Sequence, residues 1–170
     1  RVGILKPFRG NTNSMLGVYK EILDFNNIEY IDLDINDPKF WDKIKLLDLF
    51  LAKISQIDDD LNLASQIIPV INIFMKIPCF PNYPTVWHYD DKVKQYYLLK
   101  QADFPVVDSY IFWDRTSANQ WVNNADFPLV FKLKGGSGSS NVKLIHNKGE
   151  AKKIIRKAFS KGIHPHKFDI

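Results

Sequence analysis

Along the first eighty residues, short apolar runs alternate with longer stretches in which apolar positions recur at helical spacing. "RVGILK" reads as a short apolar strand, and "NTNSMLGVYKEILDFNN" as a helix with Asn or Ser available to cap it. "IEYIDLDI" is isoleucine-rich with alternating polar positions, the pattern of a second strand. "DPKFWDKIKL" predicts a helix with Pro38 at its first position, and "LDLFLAKI" a third strand. "DDDLNLASQIIPVINIF" predicts a helix whose first turn carries three acids, where the helix dipole favours them. "IPCF" follows as a short fourth strand. Strands alternating with helices predict an α/β fold, a Rossmann-like parallel sheet with helices on its faces.

The pattern changes at "PNYPTVWHYDD". Pro78, Pro81 and Pro84 predict a rigid connector and a domain boundary, dividing the chain into 1–86 and 87–170. "DDKVKQYYLLKQAD" predicts a helix capped by Asp90 or Asp91, with Val93, Tyr96, Tyr97 and Leu99 on its buried side. "FPVVDSYIFW" is then expected as a strand and "DRTSANQWVNNAD" as a helix. "FPLVFKLK" and "NVKLIHN" form a hairpin about a glycine-serine loop, and "KGEAKKIIRKAFSKG" is an amphipathic helix. This second part is a small α+β module.

Composition narrows the function classes. Apolar content of 45% and aromatic content of 14% suit a packed globular chain of 170 residues. The longest apolar runs fall far short of a membrane span, and no secretory leader pattern is present, so no membrane partner is expected. A single cysteine, Cys79, excludes an internal disulfide and suits a reducing, cytoplasmic setting. Its apolar surroundings mark it as a packing residue. The net charge of +4 is uneven: from Lys132 onward ten bases face two acids, whereas the preceding residues carry thirteen bases and seventeen acids. A basic end of this kind leaves open a solvated helix face, an anionic small ligand such as a nucleotide, or nucleic acid.

The glycine-serine loop is the candidate for chemistry. It leads into a strand and has no Gly-Lys-Ser/Thr ending, so it is neither a Walker A loop nor a dinucleotide fingerprint. Alone it leaves two readings open, a flexible hairpin turn or a nest of backbone N–H groups over a phosphate chain. Lys132 and Lys134 alternate with Phe131 and Leu133, which points both to one face of the strand entering the loop. Lys92 adds a third base at the start of a helix.

These pieces in this order resemble the central module of ATP-grasp enzymes, such as biotin carboxylases and D-alanine–D-alanine ligases. Asp91-Lys92 is similar to the Asp-Lys pair that begins a helix in that family. "QADFP" is similar to its small-residue turn, with Ala-Asp where Gly is usual, and Lys132 in "PLVFK" to its second lysine. Gly135 to Ser140 resemble its flap. The first part resembles the family's preceding α/β domain by position and pattern only. Within the family the sequence is most similar to the group that includes glutamate ligases acting on protein tails.

The resemblance implies ATP and Mg2+ as cofactors and a carboxylate and an amine as substrates, joined through an acylphosphate. It implies that Lys92 and Lys132 contact the α- and β-phosphates. The flap's amides, at Gly135, Gly136, Ser137, Gly138, Ser139 and Ser140, would cover the β- and γ-phosphates, with hydroxyls of the three serines as further donors; Lys134 is also expected to bind the cofactor. Residues 1–86 would be the pre-ATP-grasp domain and 87–170 the N-terminal ATP-grasp subdomain. The metal ligands and adenine contacts are expected in a C-terminal half beyond Ile170, so the chain is expected to be an inactive N-terminal portion of a ligase. Substrate contacts are expected from loops after the first and third strands, at Arg9, Asn11, Asn13, Ser55 and Gln56. Asp58 to Asp60 read as a helix start rather than a metal site, His164 and His166 as an exposed tail, and His88 as a packed residue. The alternative is a non-catalytic α/β module binding an anionic partner such as RNA; few aromatics interleave with the bases, which makes nucleic acid unlikely.

Overall fold

A computed structural model describes residues 1–7, 14–136 and 142–163. The chain divides into two compact units, 1–89 and 90–170. None of the described helices is long and apolar enough to cross a membrane.

The first unit has four parallel strands, β1 (Val2–Leu5), β2 (Tyr30–Leu33), β3 (Leu49–Leu51) and β4 (Cys79–Phe80). Their spatial order is β2-β1-β3-β4. Val2 lies opposite both Tyr30 and Leu49, and Phe50 lies opposite Cys79. The chain leaves β1 towards β2 and returns to the other side of β1, so the order reverses between β1 and β3. In open parallel sheets this reversal opens a crevice at the carboxyl ends of the strands.

Alternation along the strands splits the core between the two faces of the sheet. Val2, Ile4 and Leu51 pack with Leu16 and Leu23 of α1 (Ser14–Phe25). Leu5, Leu33, Phe50 and Ala52 pack with Phe40 and Ile44 of α2 (Phe40–Ile44), and with Ala64, Ile67 and Ile68 of α3 (Asp58–Pro69). Both faces being covered explains why the strands read as apolar runs. Gly3 belongs to the crowded side: a Cβ there would lie 2.4 Å from Leu47 Cδ1 and 2.7 Å from Leu33 Cδ1.

Asp58, Asp59 and Asp60 do occupy the first turn of α3. Pro69 lacks the N–H that would continue its ladder, and the chain goes on as one wider turn, Val70–Phe74, closed by Met75 N donating to Val70 O at 2.9 Å. Cys79 is buried in β4, and burial pushes its thiol up to about 11. Alkylation by iodoacetamide at pH 8 should therefore run roughly two orders of magnitude slower than for free cysteine, because so little thiolate is present. The modification, followed by mass spectrometry, should reach the free-cysteine rate in urea. A rate equal to free cysteine in the folded chain would show an accessible, ordinary thiol.

The second unit is built on an antiparallel hairpin, β5 (Leu129–Lys132) and β6 (Val142–Ile145), pairing Leu129 with Ile145 and Lys132 with Val142. Its inner face packs Leu129, Phe131 and Ile145 against Ala118 and Val122 of α6 (Arg115–Val122) and Ala151 and Ile155 of α7 (Lys148–Ala158). Asp114 caps α6 by accepting from Ser117 N at 2.8 Å and Ser117 Oγ at 2.7 Å; these bonds hold its carboxyl below the usual range. Asn147 caps α7, whose Lys152, Lys153, Arg156 and Lys157 all lie on the exposed side.

Five local expectations change. Residues 104–112 are not a strand; Tyr110 and Phe112 instead stack on Trp121 at 4.4 and 5.5 Å between ring centres. The helix α5 (Lys92–Gln101) has no buried residue, because its apolar side chains at 93 and 96–99 spread around the helix instead of forming a stripe. The proline connector contains a helix, α4 (Tyr83–His88), with Asn82 accepting from Thr85 N and Pro84 in the first turn, where no N–H is needed. Helix α2 starts at Phe40, not Pro38; Asp37 closes a preceding turn by accepting from Lys39 N at 2.8 Å. Lys134 lies beyond the end of β5, so it does not share a strand face with Lys132.

Candidate functional site

The start of α5 and the end of β5 meet within the second unit. Asp91 is the cap of α5: its Oδ1 accepts from Val93 N at 3.1 Å and Lys94 N at 3.0 Å. It is the one charged residue among the buried polar residues of the described chain, 6% exposed. Its other oxygen faces two cations, Lys134 Nζ at 3.3 Å and Lys94 Nζ at 3.9 Å. The cap thus also serves as a counter-ion for a residue forty-three positions away.

The next residue ties the same two segments together twice. Lys92 N donates to Lys134 O at 2.9 Å, and Lys92 Nζ donates to Gly136 O at 2.6 Å. Gly136 N in turn donates to Asp90 Oδ2 at 2.9 Å. Both polar ends of the loop's second glycine are therefore held by the Asp90–Lys92 segment. Gly136 has φ of 99°, a left-handed conformation that a side chain would strain. Gly135 is less demanding, since a Cβ there would meet Asp90 O at an ordinary 3.6 Å. Asp90 itself holds a positive φ of 49°, an uncommon state for a residue with a side chain.

Lys132 ends β5 on the outer face of the hairpin. It is exposed and has no ion pair among the described residues. It shares that face with Val130, Val142 and Leu144, all exposed. The arrangement is an apolar strip with a cation at one end that has no partner among the described residues. In chemical terms, this unit presents lysines beside a backbone turn at a helix N-terminus, a combination suited to an anionic, phosphate-bearing ligand.

Of the residues expected from the sequence, Lys92, Lys134, Gly135 and Gly136 come together here, and Lys132 lies on the adjoining strand. Ser137, Gly138, Ser139 and Ser140 lie outside the described residues, as do Arg9, Asn11, Asn13, His164 and His166. Ser55 is committed locally: its Oγ donates to Asp60 Oδ2 at 2.6 Å and accepts from Ile57 N at 3.3 Å. Gln56 is exposed on the same loop. Among the described residues no three His, Cys, Asp or Glu side chains converge as a cation would require. The sequence reading missed Asp90 as a ligand of the loop, and the apolar outer face of the hairpin. Alternation in "PLVFK" and "VKLI" carried the second of these signals, because Val130 and Leu144 fall on the Lys132 face.

No protein-family model matches the chain, and no curated protein does. Solved structures do. A RimK domain ATP-grasp protein from Sphaerobacter thermophilus superposes with a TM-score of 0.60 at 15% identity, over 97% of this chain and 61% of that one. The N5-carboxyaminoimidazole ribonucleotide synthetase of Thermotoga maritima gives 0.55 at 18% identity, over 89% and 42%. The chain shares a fold with these two structures. At these identities the likeness is one of fold, and the chain spans 61% and 42% of the lengths of these two proteins. The parallel sheet followed by a small antiparallel sheet is the architecture expected from the order of apolar runs.

Proposed function

We propose that the second unit binds the phosphates of ATP, and that the chain is the nucleotide-binding, substrate-side portion of an ATP-grasp ligase joining a carboxylate to an amine or related nucleophile. Residues 90–170 correspond in this proposal to the N-terminal ATP-grasp subdomain and residues 1–89 to the preceding α/β domain, working in the reducing cytoplasm. The observation that carries it is the junction of Lys92, Gly136 and Asp90. It brings the start of α5 and the glycine loop into one place across more than forty residues of chain.

ATP would supply the phosphoryl group that converts the carboxylate to an acylphosphate, which the amine then attacks with loss of phosphate. The chain's own part is electrostatic. Lys132 is available to meet a phosphate oxygen, and Lys92 can exchange Gly136 O for one. Lys134 brings a further cation, partly neutralised by Asp91. The exposed strip of Val130, Val142 and Leu144 offers a flat apolar surface to a nucleobase. Cations and amides aimed at the transferring group lower the energy of its developing charge. The described residues do not make a magnesium site.

Isothermal titration with Mg-ATP, AMP and single-stranded RNA tests the proposal. Saturable binding of ATP that exceeds AMP and needs magnesium is the expected result. Binding of RNA that falls roughly a thousandfold or more between 50 and 200 mM salt, with ATP and AMP indistinguishable, would replace the ligase reading with that of an RNA-binding module.

A further inference from the structure

The first unit contains a half-open pocket of about 190 Å3, apart from the residues that would meet the nucleotide. It is lined by Ala52, Lys53 and Ile54, which follow β3, and by Phe80 and Pro81 at the end of β4. Tyr19 of α1 and Thr85, Val86 and Tyr89 complete the wall. These residues gather at the carboxyl ends of the parallel strands, the side on which such sheets bind ligands. Residues 55 and 56, singled out by the sequence, do not line it.

Its chemistry is uneven in an informative way. Most of the wall is aromatic or aliphatic, and Phe80, although on a two-residue edge strand, is largely exposed. Among the described residues one charged side chain lines the cavity, Lys53, which has no ion pair or hydrogen bond among them. Thr85 spends its proton on Asn82 Oδ1 at 2.8 Å, which leaves Lys53 and the two tyrosine hydroxyls as donors. An apolar cavity of about 150 Å3 accommodates benzene, so this volume suits one ring or branched chain and one small polar group. A lysine at the rim of an apolar cavity favours an anion over a neutral ligand of the same shape, because only the anion gains the attraction of the ammonium.

We infer that this cavity binds a small monocarboxylate with an aromatic or bulky apolar body, its carboxylate on Lys53 and its body between Tyr19, Phe80 and Tyr89. The inference is independent of nucleotide binding, since every residue lies within the first unit.

Benzoate is the probe, with benzamide as its neutral isostere, followed by amide chemical shifts of the full chain. Benzoate should move the amides of Ala52, Ile54, Phe80 and Thr85 with a dissociation constant on the order of 1 mM. Benzamide should bind about tenfold more weakly. Lys53 is exposed, so Lys53→Ala should fold normally and lose about tenfold for benzoate, whereas Lys53→Arg should retain it. Shifts that are equal for benzoate and benzamide, or unchanged by Lys53→Ala, would overturn the inference, as would the absence of shifts in these residues. Loss of ATP binding in a second-unit variant such as Lys132→Ala should leave the benzoate titration untouched, so the two proposals fail separately.

Discussion

Lys132→Ala is expected to weaken Mg-ATP binding by about ten- to a hundredfold, the value of one hydrogen bond between charged groups in a partly shielded site. Lys132 has no partner among the described residues, so its removal leaves no orphaned charge and should not lower the melting temperature. Lys92→Ala should weaken binding at least as much and should also lower stability, because Lys92 Nζ holds Gly136 O at 2.6 Å. The pair thus separates a contact made only with ligand from one shared between ligand and fold. Lys152→Ala, on the exposed side of α7, is the control and should behave as the parent chain. Isothermal titration beside thermal melting reads both quantities. ATP affinity unchanged in Lys132→Ala would remove that lysine from the site.

Asp91→Ala should be the most destabilising single change near the site, about 2 kcal/mol, which for a unit of this size lowers the melting temperature by about 10 °C. The cap accounts for about half of that, through the lost bonds to Val93 N and Lys94 N. The rest comes from Lys134 and Lys94 losing a nearly buried counter-ion. Asp91→Asn retains an acceptor for the cap but not the charge, and should recover about half the loss. Circular dichroism melts of the three chains decide it; an Asp91→Ala variant as stable as the parent would mean that the hydrogen-bonded junction contributes nothing to the unit's stability.

The two variants bear on how the site is built. Asp90, Asp91 and Lys92 are consecutive, yet each reaches a different atom of the Lys134–Gly136 segment. An adjacent acid, acid and base would be self-neutralising on a flat surface. Here the left-handed turn at Asp90 sends its carboxylate to a glycine N–H, and Asp91 turns into the helix start. Asp90 therefore occupies an amide of the loop with an internal anion.

Much of this protein was legible in the amino-acid order alone. Runs such as "VGIL" and "LFL" are strands wherever both faces are covered, and local caps at Asp91, Asp114 and Asn147 start their helices from hydrogen bonds within three residues. The meeting of the Asp-Lys helix start with the glycine loop was expected from resemblance, and the structure brings those segments together. Tertiary structure decided what depends on a distant partner. "FPVVDSYIFW" has strand composition, but a strand exists only where its backbone pairs with another edge, and this segment pairs with none of the described strands, its Tyr110 and Phe112 stacking on Trp121 instead. Tyr97 and Leu99 lie exposed on α5 because burial needs a covering surface, not only an apolar side chain. Lys92 and Lys134 found Gly136 and Asp91 because hairpin and helix docking brought charges forty residues apart within hydrogen-bond reach, which no local pattern encodes.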